Sequence, residues 1–203
     1  DDDGRLYRCP APAMPTRDCL FTNCLTDPRL LKIANTCTES GNHAVLGLFH
    51  CQQGEDPITD LWGVTDNPFV DQDDVVVYRF REGTLARLCG EETSIRHALT
   101  LAPLEFEVIA IANVLAGRVA CVGLLEKYNA GGAIDREEFT VLPSRYEVSI
   151  RGSGTAGFYC DSEPDEVLVD GDQSEYRYDP ETSFLQVDLR PNSWGGSLVT
   201  LVL

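Results

Sequence analysis

Glu105 and Glu107, two residues apart in the sequence, have the spacing in this chain that most suggests catalysis. They lie in a run of strand character, so both side chains are expected on one face with Cα atoms about 6.6 Å apart. A glycosidase uses two carboxylates, one as the acid and one as the nucleophile or base. Neighbours on one strand cannot flank a scissile bond from opposite sides. We therefore favour the alternative that both face solvent, and we assign no catalytic residue.

Two acidic clusters, at residues 71–74 and 170–172, raise a calcium hypothesis because hard cations take oxygen ligands. Neither cluster follows the EF-hand loop pattern, and Asp-Gly is also ordinary hairpin chemistry. The histidines His43, His50 and His97 lack metal-ligand spacing with cysteine, so core or surface positions are favoured for them. We therefore expect no metal and no cofactor.

Aromatic side chains provide a second kind of candidate site. Trp62 and Trp194 could stack on a sugar ring, and Asp60 lies close to Trp62 in a segment, residues 53–74, that is too long for a plain turn. A single tryptophan in a loop is more often a packing anchor, and packing is the favoured alternative for both indoles. Trp62, Asp60 and Trp194 are the predicted contacts to a sugar or to a neighbouring domain.

The chain is strongly acidic, with 33 Asp and Glu against 16 Lys and Arg and a formal net charge of -17. Phosphate backbones and anionic lipid head groups would be repelled, so nucleic acid and membrane surfaces are not expected partners. No apolar run approaches the length of a membrane span. Motifs for a serine nucleophile elbow, a phosphate loop and a zinc peptidase are missing from the sequence.

The 8 cysteines are spread along the chain, and several lie within apolar runs, as Cys121 does. A thiol in such a position behaves as a small hydrophobic side chain, so buried free thiols are favoured over a disulfide framework. With no secretory segment in the sequence, the expected location is cytoplasmic.

Short runs of β-branched and aromatic residues, separated by turn chemistry, dominate the chain after residue 29 and predict strands. The predicted strands are 30–36, 44–51, 75–80, 84–89, 94–101, 106–115, 119–128, 146–151, 156–160, 166–169, 175–178, 184–189 and 197–203. No segment has the 3.6-residue period of a core-facing helix. The sequence therefore predicts an all-β fold, an antiparallel β-sandwich with possible Greek-key connections.

The distribution of prolines and glycines predicts the domain organisation. Residues 1–28 are rich in proline and are expected to run extended as a connector, followed by a β-sandwich domain at 29–203. Within that domain, a Gly-rich acidic segment at 129–143 joins two sub-blocks, 29–128 and 145–203. Whether the sub-blocks form one sandwich or two stays open.

Several segments in a fixed order carry a family resemblance. They are Pro15-Thr-Arg-Asp-Cys-Leu-Phe21, Leu101-Ala-Pro-Leu-Glu-Phe-Glu-Val108, Tyr128-Asn-Ala-Gly-Gly-Ala-Ile134, and Tyr146-Glu-Val-Ser-Ile-Arg151 ending in Gly152-Ser-Gly154. In this order the chain resembles the C-terminal part of the raffinose synthase, seed-imbibition and alkaline α-galactosidase family, which is similar to glycoside hydrolase family 36. One departure is the stretch after Phe49, where an acidic loop replaces the family's glycine-rich, tryptophan-containing segment.

The resemblance implies a parent enzyme that cleaves or transfers α-linked galactose with retention, using two aspartates in a (β/α)8 barrel. This chain has no counterpart of those barrel segments, so it is expected to be inactive alone and to support the barrel. Arg17 and Asp18 are the predicted contacts at that junction, where they could form an ion pair. Two alternatives stay open, a freestanding carbohydrate-binding module that holds galactosides and a structural or protein-interaction domain.

Overall fold

The protein is an all-β molecule, as the sequence predicted. The computed structural model describes residues 8–71, 73–191 and 195–203. The strands in these residues, in chain order, are β1 (Met14–Pro15), β2 (Leu31–Thr36), β3 (His43–Phe49), β4 (Ile58–Trp62), β5 (Asp74–Arg79), β6 (Thr84–Cys89), β7 (His97–Leu101), β8 (Phe106–Asn113), β9 (Val119–Leu124), β10 (Ile134–Thr140), β11 (Arg145–Arg151), β12 (Gly154–Cys160), β13 (Glu166–Val169), β14 (Asp172–Gln173), β15 (Tyr176–Asp179), β16 (Phe184–Leu189) and β17 (Gly196–Val202).

Helical structure in the described residues consists of short 3₁₀ turns at Arg17–Cys19, Val64–Asp66, Gly90–Ser94 and Ala130–Ala133. Within those residues, no helix has both the length and the apolar character that a membrane crossing requires.

The strands form three antiparallel sheets and one ribbon. Sheet I has six strands in the order β1-β2-β3-β8-β5-β6, sheet II has four in the order β15-β16-β12-β9, and sheet III has five in the order β10-β11-β17-β13-β14. Strands β4 and β7 pair as a separate ribbon. Strand β9, which lies in the predicted first sub-block, pairs with β12 in sheet II. The division of the chain into sub-blocks stays a prediction.

Three apolar cores lie between four stacked layers. The first core joins the ribbon to sheet I, the second joins sheet I to sheet II, and the third joins sheet II to sheet III. Because side chains alternate between faces, a strand that is covered on both faces must be apolar at nearly every position. Strand β5 illustrates this: Val75 and Val77 enter the first core, while Val76 and Tyr78 enter the second. Continuous apolar runs in the sequence thus mark the middle layers.

Four strands were missed from the sequence: the two-residue strands β1 and β14, and the longer strands β4 and β10. Strand β4 lies in the predicted loop at residues 53–74, and of its own five residues only Ile58 and Trp62 are buried. Strand β10 lies in the predicted joining segment at 129–143 and carries mainly charged residues. Both have solvent on one side, β10 at the edge of sheet III and β4 in the outermost layer, so their sequences have few apolar residues.

The two predicted turns are confirmed. Gly83, with φ of 65°, closes the β5–β6 hairpin, and its N–H donates to the carbonyl of Arg79 at 2.8 Å. Asp170 and Gly171, with φ of 54° and 90°, make the tight β13–β14 reversal. Both central residues of that turn have the positive φ that matches the twist of the paired strands.

Candidate interface around the connector

A fully buried lysine is the centre of the most polar region beside the connector. Lys32, on β2, has a relative exposure of 0%. Its ammonium group donates to the carbonyl of Leu61 at 2.9 Å, is ion-paired with Asp18, and lies 3.8 Å from the carboxylate of Asp60. A buried cation is tolerated only when it is neutralised and hydrogen-bonded, and these contacts supply both.

The chain before β2 folds back so that Asp18 faces this lysine. The N–H of Thr16 donates to the carbonyl of Lys32 at 3.0 Å, and a 3₁₀ turn begins at the next residue. The hydroxyl of Thr16 then donates to the carboxylate of Asp18 at 2.6 Å. Burial opposes ionisation of Asp18, but hydrogen bonds from Lys32 and Thr16 outweigh it, so the pKa of Asp18 lies below its ordinary value.

Asp60 fixes the end of the connector to the ribbon. Its carboxylate accepts from the N–H of Leu30 at 3.1 Å and from the N–H of Leu61 at 2.8 Å. Its side chain is 10% exposed. These contacts, together with Lys32, give Asp60 a structural role at this junction.

Arg96 is a second cation that contacts the carbonyl of Leu61, to which Lys32 also donates. Arg96 donates to the carbonyl of Leu61 at 2.9 Å and to the carboxylate of Asp66 at 2.7 Å. Asp66 also accepts from the N–H of Gly63 at 3.1 Å, which closes the turn after β4. Charge-assisted hydrogen bonds therefore hold the two strands of the ribbon together at the carbonyl that Lys32 also contacts.

These groups border an open pocket of about 830 Å³. Its lining includes Arg17, Phe21, Arg29, Asp60, Leu61 and Arg96. Beside it, the connector exposes three large apolar side chains, with Leu20 59%, Phe21 91% and Leu25 65% exposed. Apolar side chains grouped on a surface, next to paired charges, are typical of a protein contact region.

The structure corrects one predicted contact. The predicted ion pair between Arg17 and Asp18 is not formed, because Asp18 faces inward to Lys32 and also lies 3.5 Å from Arg29. Arg17 is exposed and points into the pocket lining. Neighbouring residues of a 3₁₀ turn point in different directions, so the two side chains diverge. Their role at an interface stays a prediction.

The first of the two tryptophans predicted to contact a sugar, Trp62, is a buried side chain. Trp62 is 3% exposed, and its ring lies 5.0 Å from the ring of His97 on the paired strand. Its side chain forms part of the core between the ribbon and sheet I. Trp194 lies outside the described residues. Whether Trp62, Asp60 or Trp194 contacts a sugar stays a prediction.

The two glutamates considered for catalysis, Glu105 and Glu107, do not both face solvent. Glu107 is 2% exposed, which contradicts the expectation that it faces solvent. Its carboxylate accepts from the N–H groups of Arg81 and Val108, at 3.0 and 2.9 Å, and lies 3.6 Å from the guanidinium of Arg79. Satisfied in this way, a carboxylate can be buried.

Glu105 precedes β8 and is only partly buried. It is paired with Arg81 at 2.8 Å and accepts from the N–H of Ala102 at 2.8 Å. The hydrogen bond from Arg81 is the main reason that the pKa of Glu105 lies below its ordinary value. Each glutamate therefore has its own arginine, and the two do not face each other across a cleft.

One aspartate in each acidic cluster considered for calcium is engaged by the protein itself. Both carboxylate oxygens of Asp74 accept from Arg87, at 2.8 and 2.7 Å. Asp170 accepts from the N–H of Leu198 at 2.8 Å. Within residues 8–71, 73–191 and 195–203, no group of three or more acidic, cysteine or histidine side chains is arranged to hold a metal ion.

Sequence reasoning missed Lys32, Asp66, Arg96 and Phe21. For Lys32 a signal was available, because it has the same phase as Leu30 and Ala34 and therefore points to the buried face of β2. For Asp66 and Arg96 no signal was available, since they come together only when β7 pairs with β4.

Comparison with known proteins agrees with the resemblance in the sequence. Residues 2–57 and 56–189 match the family described as raffinose synthase or seed imbibition protein Sip1. A probable galactinol–sucrose galactosyltransferase 1 of Arabidopsis thaliana is 32% identical, over 92% of this chain and 28% of its own length. A galactinol–sucrose galactosyltransferase of Pisum sativum is 30% identical, over 97% of this chain and 28% of its own length.

A stachyose synthase of Pisum sativum is 26% identical over 87% of this chain and 23% of its own length. The chain thus spans about a quarter of the length of the curated relatives that it matches, which is consistent with the C-terminal region of the family. The match covers nearly the whole of the chain, so this all-β molecule belongs to the raffinose synthase and seed imbibition protein family.

Proposed function

We propose that this chain is an accessory domain of an enzyme that transfers or hydrolyses α-galactosyl groups. In this proposal it has no activity alone and supports the catalytic part of its parent, a (β/α)8 barrel. Relatives that match it over nearly its whole length are named as galactosyltransferases, and the chain spans 28% of their length. The parent's chemistry would then be carried out by residues outside this chain.

The observation that carries the proposal is the connector surface, which is held in place by hydrogen bonds and an ion pair but exposes apolar side chains. Lys32 and Asp60 hold the connector against the ribbon, while Phe21, Leu20 and Leu25 point outward. A segment that is fixed in place yet exposes apolar side chains is suited to contact another domain. The neighbouring pocket, lined by Arg17 and Arg29 among others, supplies polar groups at the edge of that contact.

Acidic side chains of the described residues support an accessory role as well. Glu105 and Glu107 are each paired with an arginine, and Asp18 and Asp60 surround Lys32. Retaining glycosyl transfer needs two carboxyl groups about 5–5.5 Å apart on opposite sides of the sugar. The carboxylates considered from the sequence are instead engaged in holding strands and turns together.

An activity assay of the 203-residue chain tests the proposal. We expect no product from galactinol with sucrose and no hydrolysis of an aryl α-galactoside, whereas the full-length parent acts on one of them. A parent truncated before this chain should lose activity or solubility, and adding the chain in trans should restore part of it. Turnover by the chain alone would contradict an accessory role.

We also propose a cytoplasmic location for the parent. All eight cysteines are free thiols, and Cys19, Cys37, Cys121 and Cys160 are buried. Free buried thiols are typical of proteins that stay in a reducing compartment. Fractionation of cells that express the tagged full-length parent would test this, and recovery from the secretory pathway would contradict it.

A further inference from the structure

Two thiols of the connector converge on one backbone carbonyl. The sulfur of Cys19 lies 3.5 Å from the carbonyl oxygen of Leu30, and the sulfur of Cys24 lies 3.9 Å from the same oxygen. Cys19 is buried, whereas Cys24 is half-buried and therefore accessible to a small reagent. The segment between the two cysteines carries the exposed side chains of Leu20 and Phe21.

Hydrogen bonds on both sides of Cys24 fold this part of the connector back on itself. The hydroxyl of Thr22 donates to the carbonyl of Asp18 at 3.2 Å and lies 3.8 Å from the sulfur of Cys24. After the cysteine, the N–H of Asp27 donates to the carbonyl of Asn23 at 2.8 Å. The approach of the two thiols is therefore a property of the connector's own fold.

Cys19 is the fixed member of the pair. Its N–H donates to the carbonyl of Thr16 at 2.9 Å, and its sulfur accepts from the N–H of Lys32 on β2 at 3.4 Å. Cys24 lies between two exposed residues, so its side chain can turn with little loss of packing. A sulfur–sulfur bond would thus need a movement of Cys24 toward a stationary partner and no rearrangement of the sheet.

The surroundings of Cys24 set how readily it ionises. Burial raises the pKa of the Cys24 thiol above its ordinary value of 9.0, and the nearby thiols of Cys19 and Cys51 raise it further, while the hydroxyl of Thr22 opposes the change. Thiol–disulfide exchange requires a thiolate. Cys24 should therefore react slowly near neutral pH and faster as the pH rises.

We propose that Cys19 and Cys24 are a redox-sensitive pair that a low-molecular-weight disulfide, such as oxidised glutathione, converts to an intramolecular disulfide. The thiolate of Cys24 attacks one sulfur of the oxidant, forms a mixed disulfide and releases one glutathione thiolate. The thiolate of Cys19 then attacks the sulfur of Cys24 and releases the second glutathione. Two protein thiols are oxidised, the oxidant is reduced to two thiols, and the two protein protons pass to the released glutathione.

Cys51, which follows β3, is the competing partner for Cys24. It affects the ionisation of Cys24 by charge alone, whereas Cys19 acts by charge and also by a side-chain hydrogen bond. Cys19 and Cys24 also share the carbonyl of Leu30. These contacts favour Cys19 as the partner.

Closing the disulfide would join the two ends of residues 19–24 and hold Leu20 and Phe21 in a small ring. Disulfides in reducing compartments are usually transient and redox-sensing, so such a pair is compatible with free thiols elsewhere in the chain. An effect of the ring on the contact between the connector and the parent enzyme would follow, and that consequence rests on the proposed function.

Oxidised glutathione added to the reduced 203-residue chain tests the inference. Trypsin cleaves after Arg17 and Arg29, so the peptide 18–29 contains both cysteines of the pair. We expect mass spectrometry to find this peptide about 2 Da lighter after oxidation, through the loss of two hydrogen atoms, and restored by dithiothreitol. Between about pH 7 and about pH 8 the reaction should become about tenfold faster, because the thiolate fraction rises by that factor.

Three variants identify the thiols that react. Cys24→Ser should abolish the lighter peptide, because the attacking thiol is removed. Cys51→Ser should leave its formation unchanged, because the competing partner is not needed. Cys89→Ser is the matched control, since it removes an exposed thiol that lies outside the connector, and it should also leave the reaction unchanged.

A disulfide between Cys24 and Cys51, which would join two tryptic peptides, would overturn the inference. So would a glutathione adduct that remains on Cys24 without closing the ring, or a rate that does not rise with pH. These readouts require no catalytic activity and no parent enzyme. The accessory role of the chain and the redox pair can therefore fail independently.

Discussion

At the residue scale, a single buried cation organises the junction between the connector and the ribbon. Lys32 contacts Asp18 from the connector and both Asp60 and the carbonyl of Leu61 from β4, which are two distant parts of the chain. Arg96 donates to the same carbonyl. Since a desolvated charge without partners is very costly, these partners must be present together in the folded state. The arrangement therefore specifies how the connector lies on the sheet.

Replacing Lys32 by alanine should destabilise the chain by about 3 kcal/mol, because Asp18 and Asp60 would then lie together without their cation. Urea denaturation followed by circular dichroism measures the free energy of unfolding. Lys127→Ala, at an exposed lysine, should change that free energy by less than about 0.5 kcal/mol. Equal effects of the two substitutions would show that the buried charge network contributes nothing specific.

A second buried polar group links sheet I to sheet III. His43, on β3, is 1% exposed, and its Nε2 lies 3.6 Å from the carboxylate of Glu137 on β10. Tyr146 donates its hydroxyl to the same carboxylate at 2.7 Å. Burial lowers the pKa of His43 below its ordinary value of 6.5, and the nearby Glu137 only partly offsets this.

Stability should therefore fall as the pH drops below about 6.5, because the unfolded chain then binds a proton at His43 that the folded state resists. The sign follows from a basic group whose folded pKa is lowered: its contribution is complete above the unfolded pKa and decreases as the pH falls below it. The midpoint of urea unfolding between pH 7.5 and about 5 measures this effect. His43→Gln should make the dependence shallower, and an unchanged dependence in that variant would rule out His43 as its source.

At the element scale, strand β9 connects the layers. Its residues Val119 and Cys121 enter the core between sheets II and III, while Ala120 and Val122 enter the core between sheets I and II. The register with β12 shifts between Gly157 and Phe158, so the chain changes its alternation near the end of β9. Gly123 lies at this irregularity, with φ of 102°.

Gly123→Ala should destabilise the protein by about 3 kcal/mol or more, because the new methyl group would lie against backbone in a conformation that alanine rarely adopts. The added Cβ would be 2.0 Å from the carbonyl oxygen of Ala130, which cannot move away without shifting the 3₁₀ turn at Ala130–Ala133. Gly54→Ala is the matched control, because nothing lies within 4 Å of its Cβ position. Thermal unfolding of both variants measures the difference, and similar melting temperatures would contradict this role of Gly123.

At the scale of the whole molecule, the layers form a stack, and the connector beside it presents an apolar surface. Phe21, on that surface, is 91% exposed, and Val141, in the β10–β11 turn, is 67% exposed. If the connector contacts the rest of the parent enzyme, the two positions should respond differently to a charge. An aspartate buried in such a contact is unpaired and costly, whereas one in solvent is not.

In the 203-residue chain, Phe21→Asp and Val141→Asp should each change the free energy of unfolding by less than about 0.5 kcal/mol. In the full-length parent, Phe21→Asp should lower the melting temperature and the activity, and Val141→Asp should leave both unchanged. Differential scanning fluorimetry and the galactosyl-transfer assay measure these effects. A parent that tolerates Phe21→Asp as well as Val141→Asp would exclude the connector surface as the contact.

The sequence by itself determined the class of fold, most strands and the family. Strands such as β5 and β16 could be predicted because their residues are almost all apolar or alternate clearly. The prediction of Asp170 and Gly171 as a turn succeeded because the required positive φ is a local property. Strands β4 and β10 could not be recognised, since solvent on one side leaves them few apolar residues.

Only the tertiary structure decided which side chains meet. Asp18, Lys32 and Asp60 come together because the connector folds back over β2 and the ribbon lies on sheet I. Phe49, Phe106 and Tyr128 become one surface because β3 pairs with β8 and the chain after β9 returns to that end. Alternation along a strand is set by neighbouring residues, but pairing between distant strands depends on how the layers stack. A single sequence therefore specifies the strands far better than the sites that form between them.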